Sequence, residues 1–581
     1  MNERMIGLLN MICPSVLYSK VPPPPQPDNP TNEERCRLSR YALYRACHPE
    51  DYDVIYNALS PSENITSIAK PGSFKGKRVG IIGGGLAGMS AAFELRKLGF
   101  DITILEASED RIGGRVYTYY FDREKTLYGE LGAMRIPVNH ETMWHYINLF
   151  KLNTRPFIQS DPGTFIYLHQ RRVRNDPNGK NVMNYIYPTY GLSAWEARTP
   201  WQILGHYAIE APILEAPTAI RSEILRVLPQ YSRQTLFWDS LNTRQMFQHR
   251  RLSQGAINML SNLFPIGGEF LYHNYIDFVQ EYFPVNFWFM YEIVGGMVNL
   301  PLSFYRSFTS NAPWEYYPDI PMELLGKVSW KQGSKVKGIY LCRDNGRVTL
   351  AYENRQVKEP RYEDFDYVVC AIPFSTLRAV EIAPMFSSVK MQAIKEVTYG
   401  NSQKTILNCS RRFWEEQGIF GGGSYTDLPV TSIWYTSSRG KGQQITARRQ
   451  NTQPAPGVIL GSYNFNLDAV RLGNMTEDER FDKVKRNIEE VHGLPKAYLD
   501  KIVTGSKTQV WDNDPLFRGA FCYFTPEQKK LFSWVMILPE YGNRIFFAGE
   551  HISATHRWQQ GALKSGMDAA NTVARTHLKQ F

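Results

Sequence analysis

A short strand, Arg78–Ile82, runs into Gly83-Gly84-Gly85, and Leu86–Leu98 follows with apolar residues at helical spacing. No other feature constrains the fold as much as this Gly83-x-Gly85-x-x-Gly88 turn. The first glycine permits the tight turn, the second lets the backbone approach a pyrophosphate, and the third lets the helix pack close to the strand. The phosphate then sits at the helix N-terminus, where free N–H groups and the helix dipole favour an anion. A lone turn of this kind is a weak signal. Here a second strand, Phe100–Leu105, ends at Glu106, whose carboxylate is placed to accept from a ribose hydroxyl. The reading is the opening of a doubly wound α/β sheet that holds a dinucleotide.

Two further segments favour FAD over NAD. After Glu106 comes ASEDRIGGRV, in which Arg115 follows a glycine pair and can reach back to a pyrophosphate. Far along the chain, Phe547-Ala548-Gly549-Glu550 reads as a strand entering a turn. Its glutamate can hydrogen-bond a ribityl chain or diphosphate. A helix from about Trp558 to Thr576 then aims its N-terminus at the pyrimidine end of a flavin.

Length and composition bound the rest. A chain of 581 residues holds roughly three to four domains' worth of polypeptide. With 43% apolar and 13% aromatic residues it has material for a large core, which excludes a disordered chain. The net charge of +10 is spread along the sequence and no nucleic-acid motif accompanies it, so a nucleic-acid partner is not expected. No stretch approaches the run of roughly 20 apolar residues that a membrane span needs. The first twenty residues have a weak apolar core broken by Asn10 and Pro14, without a clear small-residue cleavage site. Seven dispersed cysteines form no CxxC pair, no histidine cluster has metal spacing, and no G-x-S-x-G occurs. Neither a metal nor a serine nucleophile is expected. An intracellular, cytoplasmic chain with reduced thiols is the expectation, with secretion left open; the sequons at Asn64, Asn408 and Asn474 do not decide it.

Residues 1–75 read as an extension before the main fold, with a polyproline II linker at Pro22–Pro25 and a helix pair over 33–57. Its length and stiff proline run suggest that residues 1–60 cover the functional site and keep it poorly active until displaced. Residues 141–290 read as mostly helical, with helices at Ala219–Leu228, Gln254–Leu263 and Tyr275–Tyr282. The segment 366–372 reads as a buried parallel strand, 457–463 and 503–511 as antiparallel strands, and 544–548 as a last strand.

The chain resembles the flavin amine oxidase family and, within it, the L-amino-acid oxidase branch of the fungal type. The resemblance rests on IIGGGLAGMSAAFELRKLG, LEASEDRIGGRV, GELGAMRIP, YEIVGGMVNLP, KTILNCSRRFW, GAFCYFTPEQ and RIFFAGEHISATHRWQQGALKSG, and it runs from about residue 76 to 576. It implies a Rossmann-type FAD domain from discontinuous segments (76–120, 285–385 and 540–576), a mixed-sheet α+β substrate domain (121–170 and 386–539) and a helical domain (171–284). It implies cofactor contacts at Gly83, Gly85, Leu86, Ala87, Gly88, Glu106, Ala107 and Arg115, and at Gly132, Ala133, Met134 and Arg135. Further cofactor contacts fall at Val328, Glu550, Trp558, Gln559, Gln560, Gly561 and Ala562.

The same resemblance assigns catalytic roles. Arg135 pairs with the substrate α-carboxylate, which suits arginine's planar, permanently charged fork. Tyr463 adds a second contact to that carboxylate. Lys404 stands near flavin N5 through a water, and Trp558 is one wall of an aromatic cage. Arg557 stands where many relatives have glycine; its carbonyl can accept from the substrate amine, while its side chain narrows the pocket or meets acidic substrates. The helical-domain histidine proposed as a base in some relatives has no counterpart in DFVQEYFPVNFWF. Cys409 matches a position disulfide-bonded in secreted relatives, yet no cysteine lies near residues 500–505. The implied reaction is oxidative deamination of L-amino acids by hydride transfer to flavin N5, with O2 reoxidising the flavin. Its products are a 2-oxo acid, ammonia and hydrogen peroxide, and the expected assembly is a homodimer or higher homo-oligomer. The alternatives are an amino-acid 2-monooxygenase, an amine or polyamine oxidase, and a non-catalytic flavin-binding module.

Overall fold

The structure is a computed structural model that describes residues 22–264, 268–342, 344–354, 357–436 and 455–579. Five parallel strands form the central sheet, in the order Val328–Lys331, Asp101–Leu105, Arg78–Ile82, Tyr367–Cys370 and Ile545–Phe547. Their inward residues, among them Val79, Ile81, Ile104, Val368 and Val369, are fully buried, as a sheet covered on both faces requires. Helices Leu86–Lys97 and Gln559–Leu578 pack together on one face, and Ser90 Oγ donates to Leu563 O at 2.9 Å. A four-stranded sheet, Val357–Phe365, Val348–Asn354, Ser334–Leu341 and Glu381–Ala383, shares a core with Ile82 and Leu105.

A second large sheet has seven strands: Val503–Val510, Ser402–Cys409, Gly457–Phe465, Ser432–Tyr435, Gly423–Thr426, Phe165–Leu168 and Arg171–Arg174. It is antiparallel except where Gly423–Thr426 lies parallel to Phe165–Leu168. Helix Glu477–His492 packs on it, started by a Thr476/Glu479 capping box and ended by Gly493 in the left-handed region. No helix among the described residues is long and apolar enough to cross a membrane.

The expected strands and helices are present with small shifts: Ile545–Phe547, Gln254–Leu263 and Gln559–Leu578. Between 141 and 290 the chain is less helical than expected, because Thr154–Phe157, Phe165–Leu168 and Arg171–Arg174 are strands. The helix expected over Ala219–Leu228 is one turn, Thr218–Arg221, followed by a tighter 3₁₀ turn to Leu225. The helix expected to reach Tyr282 stops at Val279.

The N-terminal extension is corrected more deeply. Over the described residues it is part of the main core, not a separable linker or flap. Helices Asn32–Arg45 and Tyr52–Leu59 bury Leu38, Leu43, Ile55 and Leu59 in the same core as the parallel sheet. Beside the proline run, Gln26 Nε2 donates to Met290 O at 2.7 Å and Asn29 N to Thr154 O at 3.1 Å. Arg35 pairs with Glu141 at 2.9 Å, their side chains only 3% and 7% exposed. Displacing residues 1–60 would strip these groups from the core. The first twenty residues, with the expected absence of a signal, lie outside the described residues.

Arg35→Ala leaves the Glu141 carboxylate buried without its partner. It is expected to lower unfolding free energy by about 3–5 kcal/mol, read as a fall in Tm. Unchanged thermal unfolding would show that this segment is not part of the core.

Candidate active site

The glycine loop has the expected shape. Gly83 has φ 98°, a conformation that favours glycine, and the helix begins at Leu86 with Gly85 as its N-cap. A Cβ on Gly88 would stand 2.1 Å from Gly83 O, so helix and loop touch by their backbones. A Cβ on Gly85 would meet nothing within 4 Å, which leaves the space before the helix N-terminus open. One cavity begins there. Gly83, Gly85, Leu86, Ala87, Glu106, Ala107, Arg115, Gly132, Ala133, Lys404, Tyr463, Glu550, Arg557, Trp558, Gln559 and Ala562 all stand on its wall.

Glu106 Oε2 accepts from Gly84 N and Oε1 from Ser108 N, each at 2.7 Å. Each oxygen keeps a further lone pair for a ligand hydroxyl. Burial pushes this carboxyl above its ordinary value, against the backbone N–H bonds that favour its charge. Glu550 Oε1 takes Arg115 Nη1 at 2.8 Å and Cys522 N at 3.1 Å, and Oε2 takes Arg557 N at 2.9 Å. Burial raises the Glu550 carboxyl, but Arg115, His556 and His551 outweigh it and hold it below the usual carboxylate range.

These residues fit FAD. The Gly85 space faces a helix N-terminus, Glu106 retains acceptor capacity, and both Trp558 Nε1 and Gln559 Oε1 are buried without a partner among the described residues.

Six expected cofactor contacts are not on the cavity wall. Gly88 serves helix packing. Val328 opens the edge strand beside Ile102 and packs on the helical side of the sheet; Val336 takes a place on the wall instead. Gln560 turns away and donates to Leu59 O at 2.6 Å and Thr142 Oγ1 at 3.0 Å. Gly561 packs where a Cβ would stand 2.2 Å from Ser553 Oγ. Met134 lies behind the wall with Sδ 3.4 Å from Lys404 Nζ. Arg135 lies off this wall and is half-buried.

Beside Arg135, strands of the seven-stranded sheet bring Lys404 and Tyr463 to the same cavity wall as Gly132. Lys404 and Tyr463 are cross-strand neighbours, and Lys404 Nζ lies 4.3 Å from the Tyr463 ring and donates to Gly132 O at 2.6 Å. Burial, helped by Arg135 and opposed by Glu130, lowers the Lys404 pKa to about 7. Burial raises the Glu130 carboxyl to about 8. Arg135 Nη1 donates to Gln159 Oε1 at 2.7 Å, and the guanidinium lies 4.8 Å from the Trp434 ring and 5.5 Å from that of Phe287. No carboxylate among the described residues lies within ion-pair distance of it. Trp558 stands edge-on to His140 at 5.0 Å and 6.1 Å from Phe287.

Arg557 is held by two acids: Nη2 donates to Asp277 Oδ2 at 2.8 Å and Nε lies 2.5 Å from Glu281 Oε1, while Nη1 is buried without a hydrogen-bond partner among the described residues. Asp277, Glu281, Gln159, Trp434 and Val336 were not picked out from the sequence. Only Val336 left a trace, as the buried position of an alternating strand.

The sequence matches the family model described as flavin-containing amine oxidoreductase over residues 86–574. The chain is 29% identical over 551 residues to the L-amino-acid oxidase of Sistrurus catenatus edwardsii, covering 93% of this chain and 94% of that one. It is 30% identical over 522 residues to the L-amino-acid oxidase of Daboia russelii, covering 88% and 92%. A solved structure of wild-type putrescine oxidase bound to putrescine shares the fold, with TM-score 0.63 at 16% identity over 85% of this chain and 98% of that one. With that fold around this cavity, the chain belongs to the flavin-containing amine oxidoreductase family. It is an FAD-dependent oxidoreductase.

Two outcomes follow from the geometry. Gly88→Ala is expected to destabilise the flavin-stripped protein by about 1–3 kcal/mol and to lower flavin retention. Gly85→Ala lowers flavin retention alone, because its Cβ meets nothing until a ligand is present. Thermal unfolding of stripped protein and the flavin-to-protein absorbance ratio after desalting separate the two.

Lys404 has a folded pKa depressed to about 7 from its ordinary 10.5. Between these values the unfolded chain holds a proton that the folded one has lost, so stability rises with pH across this window. The cost of burying the charge is fully present below about 7. Lys404→Met is therefore expected to raise Tm more at acidic than at alkaline pH; an equal change at both would contradict the assignment.

Proposed function

We propose that this enzyme oxidises L-amino acids to 2-oxo acids, ammonia and hydrogen peroxide. One observation carries the reading: Arg135 is a half-buried guanidinium beside Trp434 and Phe287, and among the described residues its hydrogen-bond acceptor is the neutral Gln159, with no carboxylate at ion-pair distance. A cation held in this way is a site for an anion. Arginine's two parallel N–H groups match a carboxylate. The relatives named L-amino-acid oxidase over most of their length support the same substrate class.

The chain's residues divide the work as follows. Gly83, Gly85, Glu106, Arg115, Glu550 and the helix opening at Gln559 would hold FAD. When bound, FAD would supply the acceptor for a hydride from the substrate Cα–H bond, the amine lone pair closing a C=N bond; the two electrons would pass to O2 as hydrogen peroxide, and water would hydrolyse the imino acid to the 2-oxo acid and ammonia. Arg135 and Tyr463 fix the α-carboxylate, and Trp558 confines the substrate from the side. With the carboxylate anchored, the residues around it set the direction of the Cα–H bond, and orientation of this kind supplies much of a rate enhancement. Burial favours the neutral substrate amine, the form that loses electrons. The Arg557 carbonyl accepts from that amine. Lys404 offers an N–H where negative charge gathers on oxygen during its reduction. Among the described residues Cys36, Cys342, Cys370, Cys409 and Cys522 carry thiols rather than disulfides, in keeping with an intracellular setting.

A peroxide-coupled assay across the twenty L-amino acids, with D-amino acids and simple amines as controls, tests the reading. Absence of anaerobic flavin bleaching with every amino acid would overturn it. Arg135→Ala is expected to lower kcat/KM for amino acids by about 10³-fold, or ~4 kcal/mol. It should change the rate with an amine lacking a carboxylate by less than about tenfold.

A further inference from the structure

Arg135 directly precedes the strand Ile136–Pro137, and Gln159 lies two residues beyond the strand Thr154–Phe157. Both strands pair with Met290–Ile293, so one three-stranded sheet carries the two residues. Past Phe157 the chain is pinned a second time. Ile158 O accepts from Gly422 N at 2.9 Å, while Asp161 Oδ1 takes Gly163 N at 2.7 Å and Oδ2 takes Phe420 N at 2.9 Å. A Cβ on Gly421 would stand 2.5 Å from Ile158 Cβ, so the two segments touch closely. Gln159 therefore rests on a fixed backbone although it lies in neither a strand nor a helix.

Two constraints then act on the Arg135 guanidinium. It lies 4.8, 5.5 and 5.9 Å from the rings of Trp434, Phe287 and Phe157, and these faces limit the tilt of its plane. Gln159 Oε1 accepts from Nη1 at 2.7 Å and limits rotation within that plane. A guanidinium has no acceptor, so the amide must present its oxygen here and turn its Nε2 away. The acceptor is also neutral. It takes one N–H and leaves the full positive charge, and among the described residues Nη2 and Nε are given to no acceptor. A carboxylate in the same place would match the arginine internally, as Glu141 matches Arg35.

We propose that Gln159 is the positioning residue of the carboxylate anchor. It orients the Arg135 fork and, being an amide rather than an acid, keeps the charge of that fork for the substrate. Selection for an α-carboxylate thus depends on a residue that acts through Arg135 and not on the reacting atoms. This rests on the L-amino-acid oxidase reading and deepens it.

The test uses flavin-loaded enzyme and reads two constants. One is KM for the L-amino acid that wild type oxidises fastest. The other is the inhibition constant of 4-methylpentanoate, which carries a carboxylate and no amine. Gln159→Glu is expected to raise both together by about tenfold or more, with kcat changed by less than about threefold. Gln159→Met keeps the length and removes the acceptor while leaving the charge of Arg135 alone. It is expected to raise both constants by about threefold. A merely structural glutamine would lower Tm or flavin retention without singling out carboxylate binding. Constants equal to wild type in Gln159→Glu overturn the proposal. If that variant fails to retain flavin, Gln159→Met decides, and unchanged constants there overturn it equally. A wild type that oxidises no L-amino acid instead removes the oxidase reading itself, a result seen before any variant is compared.

Discussion

The ion pair between Arg115 and Glu550 joins parts of the chain that lie 435 residues apart. Glu550 also receives the backbone N–H groups of Cys522 and Arg557. One carboxylate therefore gathers the glycine-pair segment, the Phe521–Tyr523 strand and the turn that presents Trp558. Burying such a charge is unfavourable unless every oxygen finds donors. Here both do, and the carboxyl stays ionised. Sheet pairing and the packing of the first helix on the last already fix these segments; this knot adds a polar tie between them at the cavity wall.

The residues around Arg135 work on the opposite principle. Burial lowers the pKa of Lys404 and of Arg135 and raises that of Glu130. Arg135 has aromatic faces and one amide around it rather than a carboxylate. Structural arginines here are matched by an acid, as Arg35 is by Glu141, or by several carbonyls, as Arg96 is by Gly326 and Ser307. Half-buried Arg135 has one amide acceptor among the described residues, which leaves it donors for a ligand.

Much of this was legible in the sequence, where chemistry lay in contiguous residues. The glycine loop, Glu106, Arg115 and Glu550 each carry a local pattern, and the structure brings them to one wall. Long-range partnerships left no such mark. Nothing near Arg557 in sequence points to Asp277 or Glu281, about 280 residues earlier, and so its matched charge was not foreseen. Gln560 looked like its neighbour Gln559 but turns to Leu59 and Thr142, because successive residues on a helix point in different directions. Val328 and Val336 are both strand valines, and only the sheet to which each belongs distinguishes them. The hairpin Phe165–Arg174 escaped notice because His169 and Gln170 occupy its turn with φ 50° and 62°, conformations usually signalled by asparagine or glycine.

The hydrogen bonds from Gln560 to Leu59 and Thr142 bear on the order in which the molecule assembles. Leu59 lies on one of the first described helices, while Gln560 lies in the opening turn of the last. During synthesis, strands Arg78–Ile82 and Asp101–Leu105 emerge early, yet the neighbouring strands Tyr367–Cys370 and Ile545–Phe547 follow hundreds of residues later. The early helices therefore wait with apolar faces uncovered until the end of the chain arrives. Contacts of such sequence separation close slowly and leave a nascent chain exposed to aggregation. The flavin wall closes only after the last helix docks, which makes cofactor capture a late event in the life of the polypeptide and ties the yield of active protein to the handling of its unfinished forms.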